Sequence, residues 1–174
     1  MNTILDTEST LGDAARLRAV LGRFCTGVTV ITAQELGTPL GFTCQAFSAL
    51  SLNPPYVCCF PGRTSTTWPR IRDTSRFCVN ILAADQEDIC HSFAVSGPNK
   101  FTGVRWNESP NGSPLLHGVI AWIDCLLERE VDGGDHTIAI ARITNLSAPR
   151  DTSPLLFYRS TFNQIATDYP GDFT

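Results

Sequence analysis

The chain has 174 residues, a net charge of -4 and 43% hydrophobic residues, which suits one domain with a buried core. This mildly acidic balance argues against nucleic acid or an anionic membrane surface as a partner, and no apolar run reaches bilayer-spanning length. The seven cysteines are odd in number, lack CxxC spacing and fall mostly in apolar runs; with no signal-peptide pattern at the N-terminus, they read as reduced core residues of a cytoplasmic protein rather than disulfides or zinc ligands.

Residues 1–11 are polar and read as a loose terminus. Asp13 can cap a helix running to about Phe24, in which Leu17, Val20, Leu21 and Phe24 form one apolar face and Gly22 allows close packing. Residues 26–33 are rich in β-branched side chains and predict a strand. After a turn at 35–39 the pattern alternates: Phe42, Cys44 and Ala46 on one side, Gly41, Thr43 and Gln45 on the other. The two strands should form an antiparallel hairpin. Ser48 and Ser51 follow among apolar residues. Asn53-Pro54-Pro55 makes a turn, and residues 56–60 are short and apolar enough for a buried strand.

Residues 62–67 form a polar loop of small hydroxyl residues that enters a helix at Trp68-Pro69. A helix N-terminus carries free N–H groups and favours an anion, and Arg63 adds a permanent cation. The same residues also suit a simple cap by Ser65 or Thr67, and the residues alone favour that second reading. Residues 77–82 predict another buried strand. A helix is expected from Asp85, as N-cap, to about Ser96, with Ile89 and Phe93 as its apolar edge and Gly97-Pro98 as its stop. Lys100 is the chain's one lysine, and residues 107–114 read as a loop. A long strand lies within 115–131, and Asp132-Gly-Gly-Asp135 predicts a hairpin turn into a partner strand from His136 to Ile143. Two short strands, 155–159 and 162–165, finish the pattern.

About seven strands and three helices emerge, in an order that disfavours a parallel sheet and suits a small antiparallel barrel. GxGxxG, GxxxxGK[ST] and GxSxG are absent. Asp135 and His136 suggest a base with its orienter, but adjacent strand residues point to opposite faces, which argues against that dyad.

Several segments together resemble one family. They are Phe24 to Thr32, Gly41 to Phe47, Ser48 to Pro55, Arg63 to Trp68, Phe77 to Leu82, Lys100-Phe101, Gly134 to Ile138 and Pro154 to Arg159, in the order of the flavin reductase-like proteins. These are the small reductase partners of two-component flavin-dependent monooxygenases. The resemblance implies a single flavin reductase-like domain, mainly β with a few helices, in a split barrel that assembles as a homodimer. It implies reduction of free FAD or FMN by NADH or NADPH, with a hydride passing from nicotinamide C4 to flavin N5 and the product leaving for a separate monooxygenase. The few basic residues near the nicotinamide side lean to NADH. Two other readings stand beside it: an oxidoreductase that retains its flavin and reduces another small molecule, and a non-enzymatic flavin-binding protein.

The resemblance also assigns roles. Thr43, Cys44 and Gln45 would lie along the isoalloxazine edge, with Ser48, Ser51 and Leu52 continuing that wall. Arg63, Thr64, Ser65 and Thr67 would hold phosphate, which raises the cradle reading above the cap; both can hold at once. Phe93, Lys100 and Phe101 would sit near the ribityl and phosphate end. His136 would lie near the nicotinamide, approached by Phe157, Tyr158 and Arg159.

Overall fold

The computed structural model describes residues 14–165, in which the chain forms twelve strands and three helices. In chain order these are α1 (Ala14–Leu21), β1 (Thr26–Gly27), β2 (Thr29–Glu35), β3 (Thr38–Cys44), β4 (Phe47–Leu52), β5 (Pro55–Cys59) and α2 (Trp68–Thr74). They continue with β6 (Arg76–Ile81), α3 (Glu87–Ala94), β7 (Trp106–Glu108), β8 (Pro114–Leu116), β9 (Ala121–Gly133), β10 (His136–Ser147), β11 (Leu156–Tyr158) and β12 (Thr161–Asn163). Seven strands make the principal sheet, in the order β3-β2-β6-β9-β10-β5-β4, with every neighbouring pair antiparallel. The remaining short strands form β1-β11-β12 and the hairpin β7-β8. The mainly β architecture with a few helices is as expected. The β7–β8 hairpin replaces the loop expected at 107–114.

β2 organises the interior because its residues Thr29 to Ala33 are all buried. Alternation sends Ile31 and Ala33 to one face, where they join Trp68 and Ile71 of α2 and Phe77 of β6. It sends Val30 to the other face, where Val28, Leu82, Phe93 of α3 and Leu116 meet. Each fully buried side chain of this size contributes about 1.5–3 kcal/mol. The sheet is thus packed on both sides, a helix on each. Between the layers Asn80 is fully buried; its amide donates to Thr32 Oγ1 (2.9 Å) and its Oδ1 accepts from the Leu116 N–H (2.9 Å), fastening β8 to β6.

Three local expectations change. No residue of α1 is buried among the described residues: in its apolar row Leu17 is 42% exposed, and Phe24, just beyond its end, 78%. Helical spacing marks the helix but says nothing of what covers it; its expected cap, Asp13, lies outside the described residues. Asp85 does not cap α3. Gln86 holds that position, and Asp85 forms a two-bond ion pair with Arg150 (3.1 and 3.0 Å). Six cysteines are buried free thiols, whereas Cys25 is exposed.

Candidate active site

Two cavities meet at the C-terminal end of β3. The larger, about 400 Å³, is walled by Thr26, Phe42 to Ala46, Phe60 to Gly62 and His136. The second, about 250 Å³, is walled by Phe42, Thr43, Thr64 to Thr67, Phe93 to Ser96 and Lys100. Phe42 and Thr43 belong to both, so the two adjoin at β3 and together make the groove, with His136 on one cavity and Lys100 on the other. A smaller cavity of about 100 Å³ continues past Lys100 to Phe101, Thr67 and Arg70.

The groove's walls are held by backbone pairing. The β9–β10 hairpin turns through Gly134, at φ +83, and Asp135. Residues 61–63 zip onto its tip. Thr137 N–H donates to the Pro61 carbonyl (2.9 Å), Arg63 N–H donates to the Asp135 carbonyl (2.9 Å), and Gly62 bridges His136. Arg63 also pairs with Asp132 across this tip at 2.6 Å. The Gly134 N–H, and after it that pairing, hold the Asp132 carboxyl below its ordinary value. On the other wall, Thr43 Oγ1 donates to the Cys90 carbonyl (2.7 Å), tying β3 to α3.

The hydroxyl loop both caps and lines. Ser65 Oγ accepts the Trp68 N–H at 3.1 Å, while Thr64 to Thr67 face the cavity. Lys100 Nζ donates to the Phe93 carbonyl at the end of α3 (3.2 Å), and burial pulls its pKa down. Cys44 is no nucleophile: burial pushes its thiol up to about 11. The Asp135 carboxylate lies 2.7 Å from His136 Nδ1. This overturns the objection drawn from strand alternation, because Asp135 belongs to the turn and only His136 to the strand.

The structure therefore gathers Thr43, Cys44, Gln45, Thr64, Ser65, Thr67, Phe93, Lys100 and His136 around the groove, with Phe101 on its extension. Arg63 lies at the hairpin tip, beside a shallow cavity it shares with Trp68 and Glu130. Ser48, Ser51 and Leu52 lie on β4, outside these walls, and Leu52 is 93% exposed. Phe157 packs on Phe162 (5.3 Å), Tyr158 ends β11, and Arg159 sits in the β11–β12 turn at φ +51. These three reach the groove only indirectly, through the Thr26↔Phe157 pairing. Sequence reasoning missed Thr26, Pro61 and Gly62. Thr26 and Gly62 reach the wall through pairings with residues 131 and 74 positions away, which no local pattern reveals. A separate cavity of about 310 Å³, at Arg76, Asn111 and Asp124, gathers none of the candidates.

The profile of the flavin reductase like domain matches residues 21–166, which includes every wall of the groove. The chain belongs to the flavin reductase-like family. A reductase subunit of a flavin-dependent monooxygenase from Rhodococcus jostii is 51% identical over 156 residues, covering 90% of this chain and 80% of the relative. A flavin reductase of Pseudomonas putida is 42% identical, covering 88% and 91%. Among solved structures, an NADH:FAD oxidoreductase of Streptomyces globisporus C-1027, in complex with NAD and FAD fragments, superposes with TM-score 0.86 at 33% identity, covering 90% and 95%. The architecture of this flavin reductase-like chain is accordingly the split barrel.

Proposed function

We propose that this flavin reductase-like protein reduces free FAD or FMN with NADH and releases the reduced flavin to a separate flavin-dependent monooxygenase. The observation that carries this reading is the pair of adjoining cavities, with a histidine on one and a hydroxyl loop with a lysine on the other. A planar ring system with a phosphorylated tail matches that polarity. The names of the relatives, a monooxygenase reductase subunit and an NADH:FAD oxidoreductase, agree with it.

The hydride transfer is chemistry of the two substrates; the chain's residues position them and exclude water. The β3 end, Thr43 to Gln45, offers backbone groups and the Gln45 amide to the edge of the isoalloxazine. Thr64, Ser65, Thr67 and Lys100 hold phosphate, with Lys100 as a point charge. Arg63 reaches phosphate by exchanging its Asp132 partner. His136 meets the nicotinamide over Gly62.

We infer further that residues 1–174 form one domain and that the protein is a homodimer, in which a second copy covers the exposed row of α1 and Leu52 of β4. The Ser48 to Leu52 edge then completes the site from that side, as do Phe157, Tyr158 and Arg159 from theirs. A cytoplasmic setting suits seven free thiols and a supply of NADH. The test is NADH consumption with and without added FAD or FMN. Saturating acceleration by flavin is expected, with flavin lost on dilution. Flavin binding without NADH or NADPH consumption would refute the activity.

A further inference from the structure

The contact between Asp135 and His136 goes unused in the reading above, and its geometry is specific. Asp135 is fixed at its backbone, because its carbonyl accepts the Arg63 N–H at 2.9 Å. Its carboxylate then stands 2.7 Å from Nδ1 of the next residue. The far side of the ring borders the larger cavity, with Nε2 next to Gly62, 3.8 Å from where a Cβ on that glycine would stand. One ring nitrogen thus meets a carboxylate and the other meets the groove.

The described residues offer a contrast. His91 pairs with Glu87 at 3.4 Å, on the surface of α3, and stacks edge-on against Phe162. It lines neither groove cavity. At His136 the short carboxylate contact and the cavity side of the ring coincide, and the carboxylate itself is 93% exposed. An exposed pair of this kind adds little to stability. Its effect falls on the ring's proton. A carboxylate accepts and cannot donate, so it keeps the hydrogen of a neutral imidazole on Nδ1. Nε2 is left with a lone pair facing the groove. The partner that suits a lone pair is an N–H donor, and the carboxamide of a nicotinamide carries one. Consistently, the His136 ring holds the Asp135 carboxyl below its ordinary value.

We propose that Asp135 is a positioning residue that locks His136 as the Nδ1–H tautomer, so that Nε2 accepts a hydrogen bond from the nicotinamide carboxamide. This rests on the reductase reading for its second half alone. The tautomer itself is a property of the free protein.

The experiment compares wild type with Asp135→Asn and Asp135→Glu, using protein labelled with nitrogen-15 at histidine. Asn keeps the size of Asp but offers an N–H as well as an oxygen to Nδ1, so the constraint that holds the proton there is lost and the ring relaxes toward the Nε2–H form. In the free wild type, nitrogen shifts should report Nδ1–H for His136; in Asp135→Asn they should report Nε2–H, with the unfolding midpoint unchanged. In steady-state assays Asp135→Asn should raise KM for NADH about tenfold while kcat and flavin affinity change less than twofold. Asp135→Glu should recover most of the loss. An Nε2–H ring in the wild type, or an unaltered KM in Asp135→Asn, would overturn the proposal. An Nδ1–H ring in a wild type that consumes no nicotinamide with any flavin would overturn the reductase reading and the carboxamide contact together, leaving only the tautomer standing.

Discussion

Lys100 Nζ donates to the main-chain carbonyl of Phe93 at 3.2 Å, which fixes the chain's one lysine at the junction of two cavities. The carbonyl lies in the last turn of α3, where helix carbonyls lack intrahelical donors and carry partial negative charge. The ammonium is thereby held half-buried and aimed at the hydroxyl loop instead of swinging in water. Lys100→Met keeps the stem and removes the charge. It should weaken FMN and FAD about tenfold or more, as expected for one charge-assisted hydrogen bond, and leave riboflavin within twofold. Fluorescence titration with the three flavins checks this; equal loss for all three would make Lys100 a strut of α3.

Arg63 gives a second test of the phosphate end, and one that runs in both directions. Its guanidinium is engaged with Asp132 at 2.6 Å, so a phosphate must displace that carboxylate. Arg63→Ala should lower affinity for FAD and FMN well below that for riboflavin. Asp132→Asn keeps an acceptor for the Gly134 N–H while releasing Arg63, and should tighten both phosphorylated flavins about two- to threefold. Rising salt should erase that gain.

Gly41 probes the packing behind the groove. A Cβ there would stand 2.6 Å and 2.9 Å from ring carbons of Phe93, which is itself fully buried. Gly41→Ala should destabilise the fold by about 1–3 kcal/mol, lowering the melting temperature by about 2–12 °C. Phe93 also lines the second cavity, so flavin affinity should fall with it. A variant as stable as wild type would mean that α3 shifts freely on β3.

The buried thiols should weaken the fold at alkaline pH. Burial raises Cys44 to about 11 from an ordinary 9.0, and pushes Cys59, Cys78 and Cys125 upward as well. A group whose folded pKa is raised favours the fold fully below its unfolded value, and that contribution is lost as pH rises toward the folded value. The midpoint of urea unfolding should therefore be flat from pH 7 to about 8 and fall steadily above about 9. Replacing Cys78 by Ala should flatten the decline, whatever it does to the midpoint at pH 7.

Much of this frame was legible in the residues. Alternation along 40–46 and the glycine pair at 133–134 located the β2–β3 and β9–β10 hairpins, because period-two patterns and turn geometry are local. Nine of the residues that the resemblance names line the two cavities at the end of β3, while Arg63, Ser48, Ser51 and Leu52 do not. The failures were non-local. Three-residue strands such as β7 and β8 carry too few positions for a period, and they exist because Asn80 and Thr32 engage the Pro114 and Leu116 backbone. The row on α1 read as a core face because spacing does not say what covers a face. The Asp135–His136 contact was set aside because strand alternation was applied to Asp135, although the turn expected at 132–135 already holds that residue, and a side chain in a turn escapes the rule.

The groove draws its walls from residues as far apart as Thr26 and His136, which belong to two different sheets, so it exists only once both have assembled. Whatever fills it binds the folded chain alone. A ligand at a hundred times its dissociation constant then adds about 2.7 kcal/mol to global stability. Heat resistance becomes a census of occupancy: screening small molecules by melting temperature reads out which of them this barrel was shaped to carry, without any assay of turnover.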